Sequence, residues 1–281
     1  MSSTTTPPLT VSIVTFNSRS VIRSCLELIP SIFNVKVFDN ASTDGTAQLI
    51  RENFPNVELT ISSVNVGYGR GHNGNLESSR TAFTLILNPD CFLEEGSVQA
   101  MLDAFALYPN VAMTGPACLS DEVDEYDRLT DRTEMEPDRT TMLCGHCIML
   151  RMSVFERIGF FDPNLFLFYE DTDLCRRTTL AGYDLLQLPA AKVRHLRGQS
   201  TEPSWKVTLR RDFHFGRSEA YFRRKHGSIK GRSIASLYVT GRHSWKAFLR
   251  LLRLSPKTIE SLCRVGGAVS DAVNGSRPSA R

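Results

Sequence analysis

In the N-terminal part of the chain, short continuous apolar runs alternate with stretches of helical spacing. Leu9–Phe16, Val35–Asp39, Val57–Ser62, Phe83–Leu87 and Val111–Thr114 read as buried strands. Between them, Ser18–Leu28, Thr43–Asn53, the residues around Leu76–Ala82, and Glu94–Leu107 read as helices. Ser18 suits an N-cap, and the Ser42-Thr43-Asp44-Gly45 turn opens the second helix, which closes near Pro55. The segment NVGYGRGHNGN, beginning at Asn65, reads as a Gly/Asn-rich loop ahead of the third helix. Strands alternating with helices predict an α/β fold with a mostly parallel sheet flanked by helices.

That rhythm breaks at about Ser120. DEVDEYDRLTDRTEMEPDR is acidic and poor in apolar residues, so it fits an exposed connector as well as a substrate lid. Regular pattern resumes with a strand in Thr141–Arg151, a helix near Ser153–Arg157, and the apolar phrase FFDPNLFLFYED. A helix over Asp171–Ala181 ends at Gly182, and strands follow at Leu185–Leu188 and Ala191–His195. From Trp205 the spacing is helical and the composition basic. The expected division is a catalytic domain over 1–204 and a basic helical appendage over 205–281.

Charge sharpens this division. The whole chain is nearly balanced, with a net charge of +3. From Trp205 onward 17 Lys and Arg face 4 Asp and Glu, a net of +13, which leaves −10 for the rest. Such a tail favours an anionic partner. Aromatic and leucine residues among its cations, including Trp245, Phe248, Leu249, Leu251 and Leu252, suit either a membrane interface or packing on the body. They match no RNA-binding signature, so nucleic acid is not an expected partner. MSSTTTPPLT lacks the form of a secretory signal, and no stretch approaches ~18 uncharged apolar residues. The expected location is cytoplasmic, with contact limited to the inner face of the cell membrane. Seven cysteines without framework spacing fit reduced thiols. Cys144-Gly-His-Cys147 has the wording of a dithiol motif but lies in a strand-like run, which favours structural cysteines.

Candidate chemistry sits at the ends of the apolar runs, where open α/β sheets place ligands. Asp39, in VFDNASTDGT, can accept a pyrimidine imide N–H, with Thr15 and Asn17 ending the strand beside it; an Asx turn capping the next helix is the competing role. Asn65, Gly67 and Asn73 belong to the Gly/Asn-rich segment, whose backbone could approach phosphate oxygens, though its glycines depart from the dinucleotide fingerprint. Asn88-Pro-Asp90 offers oxygen ligands to Mg²⁺ or Mn²⁺, or forms a turn into the next helix. Asp171 opens a helix as a general base or as a cap, and His195 could complete a metal shell or be structural.

Taken in order, VSIVTFNS, VFDNASTDGT, NVGYGRGHNGN, LILNPD, GHCIMLR and GFFDPNLFLFYEDTDLCRR resemble the landmarks of family 2 glycosyltransferases. These are inverting enzymes of the GT-A fold, and the likeness is closest to bacterial rhamnosyltransferase-type members. It spans roughly Leu9 to Ser200. The resemblance implies that Thr15, Asn17, Asp39 and the adjacent Asn40 contact the donor nucleotide. It further implies that Asp90 and His195 hold a divalent metal, and that Asp171 is the general base. The motif N-P-D in place of two aspartates leaves Asn88 outside the implied ligand set. The implied partners are a nucleotide-sugar donor, with dTDP-rhamnose as the expected one, and a saccharide or polyprenyl-diphosphate-linked acceptor. Two other classes fit less of the chain. A sugar nucleotidyltransferase would carry a glycine-rich basic loop where TFNSRS stands, and a non-catalytic sugar-nucleotide-binding subunit would bind donor without needing metal or Asp171.

Overall fold

A computed structural model describes residues 9–119, 137–196, 205–227, 232–252 and 257–274. Most of the acidic stretch after Ser120, and the side chains of Phe248, Leu249, Leu251 and Leu252, lie outside what is described.

The chain divides into two compact units. The first holds Met1–Asn65, Gly71–Phe160 and Leu174–Glu202. Its strands are β1 (Leu9–Thr15), β2 (Asn34–Asp39), β3 (Glu58–Ile61), β4 (Phe83–Leu87), β5 (Cys91–Leu93), β6 (Val111–Leu119), β7 (Asp138–Thr140), β8 (Cys147–Arg151) and β9 (Asp184–His195). Helices α1 (Arg19–Glu27), α2 (Thr46–Asn53), α3 (Tyr68–Glu77), α4 (Ser97–Leu107), α5 (Met152–Ile158) and α6 (Glu170–Leu180) connect them. All seven residues of β1 are buried, as expected for a central strand covered on both faces. Strand order is β3-β2-β1-β4-β8-β6-β9-β5, with β7 added beside β9.

β1 pairs in parallel with β2 on one side and β4 on the other, and β2 pairs in parallel with β3. The parallel expectation therefore holds for this half. Beyond it β8 runs antiparallel to both β4 and β6, and β5 antiparallel to β9, so the whole sheet is mixed. The two short strands expected near 185–195 are one long strand. Its pairing with β6 slips between Pro116 and Ala117, where Leu188 and Lys192 are the successive partners and Pro189 offers no ladder N–H.

One local expectation is overturned. The Gly/Asn-rich segment is helical from Tyr68 to Glu77 rather than a loop leading to a later helix. Its glycines meet protein at close range: a Cβ on Gly71 would stand 2.9 Å from Val14, and one on Gly74 3.2 Å from Phe38. Helical glycines are weak formers in isolation, so the sequence pattern understates this helix, which is held by its contacts. Buried His72 shares a 2.8 Å hydrogen bond with the Ser12 hydroxyl, and burial pushes its imidazole down to about 3, so it stays neutral. The Asn75 amide donates to the Ser12 hydroxyl and to the carbonyls of Ile13 and Lys36.

The second unit holds Val66–Arg70, Phe161–Asp173 and the residues from Pro203. It carries the long helices α7 (Trp205–His226), α8 (Arg232–Leu252) and α9 (Thr258–Asn274). Arg264 bonds Asp212 and Arg224 pairs with Asp271, so α9 runs alongside α7 in the same direction. Arg242 and His243 reach Glu219, while Arg223 lies over Tyr238, so α8 runs the opposite way. No helix among the described residues is long and apolar enough to cross a membrane.

Asn75→Ala should cost about 2–3 kcal/mol, because it strands buried acceptors on β1 and β2. Urea unfolding of the purified chain measures this directly.

Candidate active site

Strand order reverses at β1, with β2 and β3 to one side and β4 to the other, which makes its carboxyl end a topological switch point. Thr15 and Asp39 are register partners at the ends of β1 and β2. The Thr15 hydroxyl donates to Asp39 Oδ2 at 2.9 Å, and the Ser42 N–H donates to Oδ1 at 2.9 Å. Asp39 is buried, and each carboxylate oxygen keeps further acceptor capacity. Asn17 accepts from the Thr43 N–H at 2.8 Å through Oδ1, while its own N–H donates to the Ser42 hydroxyl at 2.8 Å. Asn17 and Ala41 both have positive φ, 52° and 61°, which folds the two strand-end loops tightly together. Asn40, also buried, returns its N–H to the Thr15 carbonyl at 2.8 Å. The N-cap of the following helix is Gly45, and Asp44 accepts from the N–H and hydroxyl of Thr46 in its first turn. Asp39 is thus not the helix cap.

At the end of β4, Asn88 receives no strand partner of its own kind; its N–H donates to the His146 carbonyl at 2.8 Å. Asp90 follows, fully buried, and its carbonyl accepts from the Leu196 N–H. Pairing of β5 with β9 sets Cys91 opposite His195. His195 Nε2 stands 3.5 Å from Asp90 Oδ2, and ligand-capable atoms of Asp90, Cys91 and His195 all lie within 4.8 Å of one another. The ring of His146 stacks on that of His195 with centroids 4.6 Å apart and planes 17° apart, which fixes the imidazole plane. The buried Oδ1 of Asn88 has no hydrogen-bond partner. A carboxylate, an imidazole and a thiol this close fit a divalent cation. The hard oxygen of Asp90 suits Mn²⁺ or Mg²⁺, and the borderline imidazole nitrogen of His195 suits Mn²⁺ better than Mg²⁺.

In the second unit, the segment leading to Asp171 is laid along one face of α7. Phe166 stacks on His214 with centroids 4.2 Å apart, and Ser218 donates to the Leu167 carbonyl. Phe168 and Tyr169 both meet the ring of Phe215, and Tyr169 also meets Phe222. Tyr221 donates to Asp162 at 2.8 Å. Lys225 bridges Asp162 and Asp173 at 2.6 Å each, and His226 reaches Asp173 at 2.6 Å. Phe168 and Tyr169 hold φ of 69° and 66°, a conformation costing about 1–3 kcal/mol apiece, and these aromatic contacts offset it. Gly67, with φ of 95°, packs where a Cβ would strike the Phe166 carbonyl at 2.4 Å, and the Tyr68 N–H donates to that carbonyl. Asn65 and Asn73 flank this stretch and are half-buried.

Four residues later than Phe166, Glu170 is buried with Oε2 unpartnered. Burial first, and the charge of Asp171 second, push its carboxyl up to about 8. Asp171 is half-buried and accepts from the Thr172 N–H at 2.6 Å. Asp173 carries the ionic anchoring, leaving Asp171 the more accessible acid of the pair.

Residues 10–159 match the profile described as Glycosyl transferase family 2. The chain belongs to that family. It is 28% identical over 208 residues to an N-acetylglucosaminyl-diphospho-decaprenol L-rhamnosyltransferase of Mycobacterium tuberculosis, covering 60% of this chain and 68% of that one. It is 27% identical over 161 residues to the rhamnosyltransferase WbbL of Escherichia coli K12, covering 46% and 61%. Among solved structures it resembles a mannosyltransferase of Pyrobaculum calidifontis in complex with GDP-Man and Mn²⁺, with a TM-score of 0.64, 17% identity, and coverage of 96% and 88%. GalNAc-T7 with UDP, GalNAc and Mn²⁺ gives a TM-score of 0.59 at 13% identity, covering 82% of this chain and 52% of that one. The glycosyltransferase fold is GT-A, with the C-terminal helices added.

Two participants in this arrangement escape a reading of the glycosyltransferase sequence. Cys91 stands directly after the N-P-D phrase, yet only the β5–β9 register brings it to His195. His146 lies inside the dithiol-like wording, and its place opposite Asn88 follows from the antiparallel β4–β8 pairing. Among the described residues the cysteines form no disulfide.

The Glu170 carboxyl keeps its proton in the folded chain up to about pH 8, whereas the unfolded chain loses it near 4.5. Stability from this group therefore falls as pH rises between those values. Glu170→Gln should match the native chain near pH 4.5 and exceed it near pH 8, as read by urea unfolding at both.

Proposed function

We propose that this family 2 glycosyltransferase transfers rhamnose, with inversion, from dTDP-rhamnose to a saccharide carried on a polyprenyl diphosphate, in cell-surface polysaccharide synthesis. The observation that carries the reading is the meeting of Asp90 and His195 at the end of β4, one strand from the Thr15–Asp39 pair. Both rhamnosyltransferase relatives support the sugar, and the printed name of the mycobacterial one supports a lipid-linked acceptor.

In this reading the pyrimidine lies against the buried strand ends, where Asp39 accepts its imide N–H and Asn17 and Asn40 border the ribose. Thr15 keeps the Asp39 carboxylate turned toward the base through its hydroxyl. Asn65, Gly67 and Asn73 border the donor further along the chain. Asp90 and His195 hold Mg²⁺ or Mn²⁺, which when bound neutralises charge on the diphosphate leaving group. Asp171 accepts the proton of the acceptor hydroxyl as its oxygen bonds to the anomeric carbon and the bond to the diphosphate breaks on the opposite face. A modest base suffices, since the proton leaves only as the new bond forms. Positioning and fixed charge supply most of the rate.

Purified protein incubated with a panel of nucleotide sugars and Mn²⁺ or Mg²⁺ should release dTDP from dTDP-rhamnose faster than UDP or GDP from other donors. A purine donor outpacing the pyrimidine ones would sink the assignment of Asp39. Asp171→Asn should lower turnover roughly a hundred- to ten-thousandfold while donor binding survives; near-normal turnover would remove Asp171 from the role. Asp90→Ala should abolish the response to metal, seen by titrating Mn²⁺ against both activity and donor affinity.

A further inference from the structure

The three C-terminal helices are built the wrong way round for a module surrounded by water. Among the described residues of these helices, the buried apolar cluster is Ala220, Val239 and Ala268. α7 and α9 touch through glycines: a Cβ on Gly216 would lie 1.9 Å from the Arg264 carbonyl oxygen, and one on Gly267 1.8 Å from that of Phe213. Ion pairs and the packed rings of Phe215 and Phe222 fill more of the space between elements. The buried carboxylates Glu219, Asp212 and Asp271 pair respectively with Arg223, Arg242 and His243, with Arg264, and with Arg224, the arginines staying partly exposed.

Several large apolar side chains among the described residues point outward instead. On α8 the exposed residues Ile234, Leu237, Tyr238 and Trp245 recur three, four and seven apart, which aligns them in one stripe. On α9 Ile259, Leu262, Val269 and Val273 form a second stripe at spacings of three, seven and four. Leu237 is 71% and Val273 74% exposed, so these are not rim residues of a core. Small residues and polar pairs inside with large apolar residues outside is the arrangement helices take against lipid. No described helix can span a bilayer, so the medium it fits is the interface, with the helices lying in its plane.

Charge identifies the surface. From Trp205 the sequence carries a net of +13, and three of its four acids are spent in the internal pairs above. Trp205, 69% exposed, opens α7 beside the exposed cations Lys206, Arg210 and Arg211. Tryptophan next to clustered cations suits a headgroup layer of negative charge.

We infer that the outward stripes of α8 and α9 dock the protein on an anionic lipid surface. This goes beyond the transfer reaction and stands on the second unit alone, whatever the donor or acceptor. Trp205 and Trp245 are the only tryptophans in the chain and both are exposed, so their fluorescence reports docking without labels. With vesicles of phosphatidylglycerol and phosphatidylcholine in equal parts, emission should shift to the blue and the protein should float with the vesicles. Pure phosphatidylcholine should give neither, and high salt should weaken both effects. Leu237→Glu combined with Ile234→Glu, at exposed positions, should weaken flotation at least about tenfold with an unchanged melting curve. Absence of a blue shift with anionic vesicles, or equal binding by the variant, overturns the inference. So does a blue shift that grows with protein concentration in the absence of lipid while light scattering reports a dimer, since a second copy then covers the stripes. Because no sugar nucleotide is present, failure here leaves the transferase reading untouched.

Discussion

Parallel pairing of β1 with both β2 and β4 is the constraint on which the donor end of this molecule rests. Three parallel strands in register must finish on the same edge, and the chain leaves each through a loop. Thr15 and Asp39 face one another because their strands pair residue for residue, and Asn88 and Asp90 follow β4 on the same edge. Antiparallel β8 then brings His146 to Asn88, and the β5–β9 pairing brings Cys91 to His195. Backbone hydrogen bonding, and not any affinity among the acids themselves, assembles this set of like-charged and desolvated groups.

Much of this was legible because strand-end acids carry two signals at once, an apolar run and an abrupt polar stop. Asp39 and Asp90 announced themselves in that way, and the βα rhythm supplied the parallel half of the sheet. The helix beginning at Tyr68 was not legible, since three glycines at low propensity outweigh any local helical signal. What stabilises it is distant in sequence: Ser12 for His72, and the carbonyls of Ile13 and Lys36 for Asn75. Cys91 and His146 were hidden for a related reason, because a strand register cannot be read from either partner alone. The Pro189 irregularity looked like two strands because a ladder interrupted by proline has the same hydropathy as a gap.

The second unit divides its charge between pairing and surface. A net of +13 suggests a uniformly basic surface, yet several of its arginines, partly exposed, reach over to pair with buried carboxylates. Ion pairs with a buried carboxylate are poor sources of net stability, since its desolvation consumes much of the attraction. Their value lies in specifying which helix lies against which. Glu219 can satisfy Arg223, Arg242 and His243 together in only one alignment of α7 with α8.

The dependence of the Phe161–Asp173 segment on α7 has a consequence for how such enzymes diversify. Asp162, Leu167, Tyr169 and Asp173 lean on Tyr221, Ser218, Phe222, Lys225 and His226, about fifty residues away in the chain. Exchange of C-terminal modules between relatives, cut at a seam just before Trp205, would separate the proposed base from the surface that shapes its backbone. A workable chimaera has to inherit both stretches from one parent, although they lie apart in the gene.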